Sequence, residues 1–127
     1  DQGDPYPEQC RTTTALLAEA LGLSEGEYQT TFQSRFGPSE WLQPYTDVTL
    51  EEWGHEGLAR IDAICPGFSA DCLETLEEIA QDGAHEFHEA GGGELRYIPA
   101  LNDRPDHVAV LAELVQAHLG EWLVVSN

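Results

Sequence analysis

Glu74, Glu78 and Asp82 stand four residues apart, and in a helix turning about 100° per residue that spacing sets three carboxylates in one row. His85 and Glu89 extend the narrow stripe, opposite Leu76, Ile79, Ala80, Gly83 and Phe87. Carboxylates in a row offer oxygen ligands to a hard or borderline cation. A solvated helix face carries the same pattern, so spacing alone leaves both readings open. Asp71 and Cys72 precede the row in the first turn. There the helix dipole favours a carboxylate and can lower a thiol pKa, although Cys72 also suits a small packed side chain. His85-Glu86-Phe87-His88 has its histidines three apart rather than four, which excludes the zinc-protease pattern. His55, His107 and His118 lack a carboxylate or cysteine partner at ligand spacing and read as ordinary surface or boundary histidines.

The elements that must hold this row follow from the flanking sequence. Arg60 to Cys65, apolar at Ile61, Ala63 and Ile64, is short enough for a buried parallel strand, and Pro66-Gly67 closes it. A helix from about Ala70 to Ala90 follows, ended by Gly91-Gly92-Gly93. Upstream, Glu8 to Leu21 is helical with apolar Ala15, Leu16, Ala18, Ala20 and Leu21, and Gly22 stops it. Tyr28 to Phe36 is rich in Thr, Tyr and Phe and reads as a strand ended by Gly37-Pro38, with Gln33, Ser34 and Arg35 near its carboxyl end. The loop from Gly37 to Asp47 carries Trp41, Leu42, Pro44 and Tyr45, more apolar bulk than a solvated connection needs. Trp41 covers either the core or a ligand. Thr49-Leu50-Glu51-Glu52 reads as a capping box opening a short helix to Gly57. Glu94 to Ala100 is a third strand. Asn102 or Asp103 caps a last helix with Pro105 in its first turn and a buried face of Val108, Leu111, Ala112, Val115 and Leu119.

Strands alternating with helices imply an α/β fold, a parallel sheet with helices on both faces. Residues 1–127 make one domain, with 121–127 as a tail. In such sheets ligands bind beyond the carboxyl ends of the strands, where Ser34-Arg35, Pro66-Gly67-Phe68 and Ala100-Leu101-Asn102 emerge.

Five arginines, no lysine and 24 acidic residues give a formal charge of −19, which repels phosphate backbones and excludes nucleic acid as the expected partner. No apolar run is long enough for a transmembrane segment. Cys10, Cys65 and Cys72 are odd in number and lack C-x-x-C spacing, so neither a disulfide framework nor an iron-sulfur cluster is expected, and a cytoplasmic location fits. The chain opens on the turn-forming Gly3-Asp4-Pro5-Tyr6-Pro7 and reads as a piece of a longer protein.

Cys65-Pro66-Gly67-Phe68-Ser69-Ala70-Asp71-Cys72-Leu73-Glu74-Thr75-Leu76-Glu77-Glu78-Ile79 resembles the signature of bacterial ferrochelatases. Gly3-Asp4-Pro5-Tyr6-Pro7, Phe32-Gln33-Ser34-Arg35-Phe36-Gly37-Pro38, Trp41-Leu42, Pro44-Tyr45-Thr46-Asp47 and Tyr97-Ile98-Pro99-Ala100-Leu101-Asn102 resemble the same family in its order and nearly its spacing. The resemblance covers nearly the whole chain and implies the second of two doubly wound halves, with the porphyrin between them. It also implies insertion of ferrous iron into protoporphyrin IX, in heme biosynthesis. Iron and porphyrin are then substrates rather than prosthetic groups, and the partner is the N-terminal half of the same enzyme.

By that resemblance Glu74 is catalytic. Glu74, Glu78 and Asp82 handle the metal along a helix that bulges into π geometry, and Trp41, Arg35 and Asp71 belong to the substrate side. The family's catalytic histidine lies just upstream of the Gly3-to-Pro7 segment, on a first strand that this chain is expected to lack, and Cys72 replaces a histidine found in other members. The fragment alone is therefore expected to be inactive. Two other functions are compatible with these residues: a non-catalytic porphyrin- or metal-binding module, and a small chelatase that dimerises to rebuild the cleft for another tetrapyrrole.

Overall fold

Pro7 pre-sets the backbone for helix entry, and the computed structural model, which describes residues 3–34 and 40–123, opens on α1 (Tyr6–Leu21). Gly22 ends the helix at φ 69°, the left-handed conformation expected of a C-terminal stop. Of the anticipated apolar face only Ala18 is buried, while Leu16 and Leu21 stay exposed. The segment that follows is not a strand as far as it is described. Phe32 makes a single parallel bridge to Tyr45, through Phe32 N–H to the Pro44 carbonyl (2.9 Å) and Thr46 N–H to the Phe32 carbonyl (3.1 Å). The ladder stops there because its partner turns at once into α2 (Thr46–His55). For the same reason the Thr49 capping box does not open α2. The helix starts three residues earlier, and the buried Thr49 hydroxyl instead donates to the Tyr45 carbonyl at 2.8 Å.

β1 (Arg60–Ile64) and β2 (Glu94–Ile98) pair in parallel, with Arg60 opposite Glu94 and Asp62 opposite Arg96. The α/β class with a parallel sheet is thus observed. The strands are not the buried kind, however. Ile61, Ala63, Leu95 and Tyr97 are half-buried, whereas Arg60, Asp62, Ile64, Glu94, Arg96 and Ile98 are exposed. On the exposed face Arg96 grips Asp62 with two hydrogen bonds of 2.7 and 2.8 Å, which hold the Asp62 carboxyl below its usual value.

Between the strands, the helix expected as one piece is three: α3 (Leu73–Leu76), a π-turn (Glu78–Gly83) and α4 (Ala84–Glu89). The Asp82 N–H reaches back five residues to the Glu77 carbonyl at 2.9 Å, the bond that defines the wider turn. The core gathers around this run. Thr75, Ile79, Gly83 and Phe87 are buried, with Gly83 close to Leu50 and Phe87 close to Gly54 of α2, and exposed Leu76 does not join them. Gly54 permits the approach: a Cβ there would stand 2.7 Å from the Phe87 carbonyl oxygen.

After β2, α5 (Pro105–Leu119) begins on Pro105, with Arg104 at the N-cap position. Asn102 does not cap it, because its amide is committed to Asp71 and the Ala100 carbonyl. The expected buried face is exposed instead: Val108 is 51%, Leu111 43% and Val115 55% accessible, and α5 buries no residue, since no other described element covers it. A 3-10 turn, Gly120–Leu123, follows; the remainder of the anticipated tail lies outside the described residues.

Candidate functional site

The acidic row sits where β1 delivers the chain into α3 and the π-turn. Glu74 is exposed in the first turn of α3, and a hydrogen bond from the Cys72 thiol, with its own N–H, holds its carboxyl below the ordinary value. Glu78 heads the π-turn and Asp82 lies within it. Glu78 and Asp82 share an open cleft of about 190 Å³ with Gln33, Ser34, Asp47 and Glu86. The next carboxylate along the row is therefore Glu86, four residues beyond Asp82, rather than His85 or Glu89. The π geometry that the family resemblance implied is present at Glu78–Gly83, and applied to the 74-78-82-86 spacing it brings Glu86 into the row.

Gln33 and Ser34 are brought to the row from the extended segment before α2. Ser34 Oγ donates to Glu78 Oε2 at 2.6 Å, and Gln33 Nε2 donates to the Glu74 carbonyl at 2.7 Å and to Glu78 Oε2 at 3.3 Å. The Cys65 thiol, pushed up to about 11 mainly by burial and so protonated at neutral pH, donates to Gln33 Oε1 at 3.7 Å. That contact sets which end of the amide faces Glu78.

Asp71 is the hub of a second network, between the loops that leave β1 and β2. Its carboxylate accepts from Tyr97 Oη (2.7 Å), Asn102 Nδ2 (2.8 Å), Thr75 Oγ1 (3.1 Å) and the Ala100 N–H (3.2 Å). Its own N–H donates to Asn102 Oδ1 at 2.8 Å. The donors of Asn102 and Tyr97, ahead of the others, hold the Asp71 carboxyl down at about 2. Tyr97 responds in the opposite sense, pushed up to about 12 by burial first and then by its hydrogen bond to the Asp71 carboxylate. The network fixes the start of α3, and hence Glu74, to the end of β2. Thr75, Tyr97 and Asn102 carry no periodic signal for this role, because each acts through a partner distant in the fold.

Trp41 lies in the loop before α2, 40% accessible. Arg35, the remaining substrate-side residue expected from sequence, lies outside the described residues, as do Phe36, Gly37 and Pro38. Among the described residues no three histidine, cysteine or acidic side chains converge into a group that could hold a metal ion. Glu78, Asp82 and Glu86 line the open cleft, Glu74 is not among its lining residues, and the carboxylates form a row rather than a closed cage. Also among the described residues, no helix is long and apolar enough to cross a membrane.

This geometry coincides with a family-level match. A family model described as Ferrochelatase matches residues 1–119. The ferrochelatase of Thioalkalivibrio sulfidiphilus is 60% identical over 94% of this chain and 32% of its own length. Those of Dechloromonas aromatica and Nitrosococcus oceani are each 57% identical, over 96% and 94% of this chain and 33% of theirs. The chain spans about a third of the length of these curated relatives. With the match running from its first residue to the end of α5, the chain belongs to the ferrochelatase family.

Proposed function

We propose that the protein to which this chain belongs is a lyase that inserts ferrous iron into protoporphyrin IX in heme biosynthesis. The chain supplies the carboxyl-terminal half-domain, and the N-terminal half of the same enzyme closes the other side of the porphyrin. The observation that carries the reading is the pair Glu78 and Asp82 lining one cleft just beyond Glu74, with the Glu78 carboxylate held there by Ser34 and Gln33.

Iron must shed its water while two pyrrole N–H protons leave the macrocycle. Carboxylates that hold a cation one at a time, instead of caging it, suit that exchange, because tight binding would oppose release. Glu74 accepts the protons or presents the metal at the reaction centre, and its lowered pKa keeps it ionised for either task. Glu78 and Asp82 relay the metal, Trp41 lies against the porphyrin face, Arg35 is assigned to the substrate side, and Asp71 supports the start of α3. Ferrous iron is a substrate, and the reaction needs no prosthetic group. Three free cysteines are compatible with action in the reducing cytoplasm.

The test uses the full-length protein with ferrous iron and protoporphyrin under anaerobic conditions, following loss of porphyrin fluorescence. Glu74→Gln is expected to lower kcat by a factor on the order of 10² to 10⁴, the usual range for removing a general acid-base group. Glu113→Gln, on the exposed surface of α5, leaves it unchanged. Full turnover by Glu74→Gln would refute the assignment.

A further inference from the structure

Two consecutive side chains, Gln33 and Ser34, cross from the extended segment just beyond the Phe32 bridge to Glu74 and the π-turn, over more than forty residues of sequence. Ser34 does so from a left-handed backbone conformation, φ 58°, which a residue with a Cβ adopts only at a conformational cost. The contact offsetting that cost is its 2.6 Å hydrogen bond to Glu78 Oε2. Gln33 adds a second donor to the same oxygen and a third contact to the Glu74 carbonyl, with its amide oriented by the Cys65 thiol. Both donors to Glu78 are neutral. They aim the carboxylate without supplying a positive charge that would compete with a cation. Among the described residues no donor is recorded on the other oxygen, Oε1.

We propose that Gln33 and Ser34 are positioning residues for Glu78: by engaging Oε2 they fix the carboxylate with Oε1 open to an arriving divalent cation. The proposal deepens the iron-insertion reading and rests on it for the identity of the cation. A positioning role of this kind acts on metal capture. It leaves the porphyrin side of the reaction largely alone, and its effect vanishes once Glu78 can no longer bind metal.

The experiment takes the full-length protein as wild type, Ser34→Gly, Gln33→Ala, Glu78→Gln and the double variant Ser34→Gly/Glu78→Gln. Ser34→Gly removes the hydroxyl while relieving backbone strain, so it separates the hydrogen bond from the conformation. Cobalt(II) affinity is measured calorimetrically without porphyrin, and iron insertion is followed separately. Ser34→Gly and Gln33→Ala are expected to weaken cobalt(II) binding about tenfold each, the scale of a lost hydrogen bond to a charged group. The KM for iron should rise by a similar factor, with the KM for porphyrin within about twofold. In the Glu78→Gln background, Ser34→Gly should cost nothing further, the signature of two groups acting as one. Ser34→Asn, which tolerates the left-handed conformation and carries a donor, should recover part of the loss.

Unchanged cobalt(II) affinity in Ser34→Gly would overturn the proposal. So would an undiminished Ser34→Gly effect in the double variant, or a Glu78→Gln variant that binds cobalt(II) like wild type. If the cobalt(II) pattern appears but the wild type inserts no iron, the iron-insertion reading falls while the positioning of Glu78 stands.

Discussion

Replacing Thr75 by Val leaves the shape of a fully buried side chain almost intact and removes its chemistry. The Thr75 hydroxyl accepts from the Cys72 N–H at 3.0 Å and donates to Asp71 Oδ1 at 3.1 Å, so one oxygen ties the start of α3 to the loop network. In Thr75→Val the Cys72 amide loses its acceptor and Asp71 loses one of four donors. An orphaned amide costs about 1–3 kcal/mol, and losing a charge-assisted bond falls in the same range. Because the amide can relax toward water at a half-buried position, the expected total is about 2 kcal/mol. Thr75→Ser is the counterpart: it keeps both hydrogen bonds and loses one buried methyl, worth about 1 kcal/mol. Thermal unfolding of the full-length protein should therefore rank wild type above Ser above Val, with Val melting about 4 °C below wild type. A Val variant as stable as wild type, with Ser the more damaged of the two, would show that Thr75 acts by packing and that the network is incidental to the start of α3.

Asp71 supplies a pH dependence whose sign is fixed by its partners. Its folded pKa, about 2, lies below the ordinary 3.8, so its contribution is complete above pH 4 and is lost as the pH falls from about 4 to 2. Asp71→Asn should be less stable than wild type at neutral pH and converge on it by pH 2, as followed by circular dichroism in an acid titration; an equal gap at both pH values would count against the assignment. Gly54→Ala places a Cβ 2.5 Å from the Ala90 Cβ and 2.7 Å from the Phe87 carbonyl oxygen. It should cost about 1–3 kcal/mol in denaturant unfolding, and Ala90→Gly in the same molecule should recover part of that cost.

What the sequence made legible divides by distance along the chain. α1, β1, β2 and α5 follow from local punctuation, with Gly22, Pro66-Gly67, the Gly91-Gly92-Gly93 run and Pro105 each standing at or near a boundary. The region of Tyr28 to Phe36 has the composition of a strand, yet strand length is set by a partner. Here the partner becomes α2 after a single bridge. The apolar face of α5 was legible as a pattern, but pattern does not say whether anything covers it. Glu74, Glu78 and Asp82 stood out as a row from spacing, which equally describes a solvated face, and their roles came from the family resemblance. Gln33 and Ser34 were visible only as polar residues near a strand end, and Asn102 and Tyr97 were not visible as parts of a network, because links spanning 26 to 45 residues have no period to betray them.

The π-turn is where the two kinds of information meet. In an unbroken α-helix a four-residue step overshoots a full turn by about 40°, so three such steps drift by about 120° and carry a row around the cylinder. Yet Thr75, Ile79, Gly83 and Phe87, spaced by four throughout, are all buried, and Glu78, Asp82 and Glu86 with the same spacing all line one cleft. A turn closed by five-residue hydrogen bonds consumes more residues per revolution and cancels much of that drift. The buried row and the acidic row therefore stay in phase, one residue and about a quarter-turn apart, so that Ile79 and Gly83 meet the same cleft as Glu78 and Asp82. The packing of Ile79 and Phe87 and the alignment of the carboxylates are then one structural fact, because a change that restored α geometry would rotate both rows together. This explains why an all-α reading found the first three carboxylates but placed His85 where Glu86 belongs. It also gives Gln33 a structural reason to reach the Glu74 carbonyl, since that contact pins the extended segment to the run immediately before the wider turn begins.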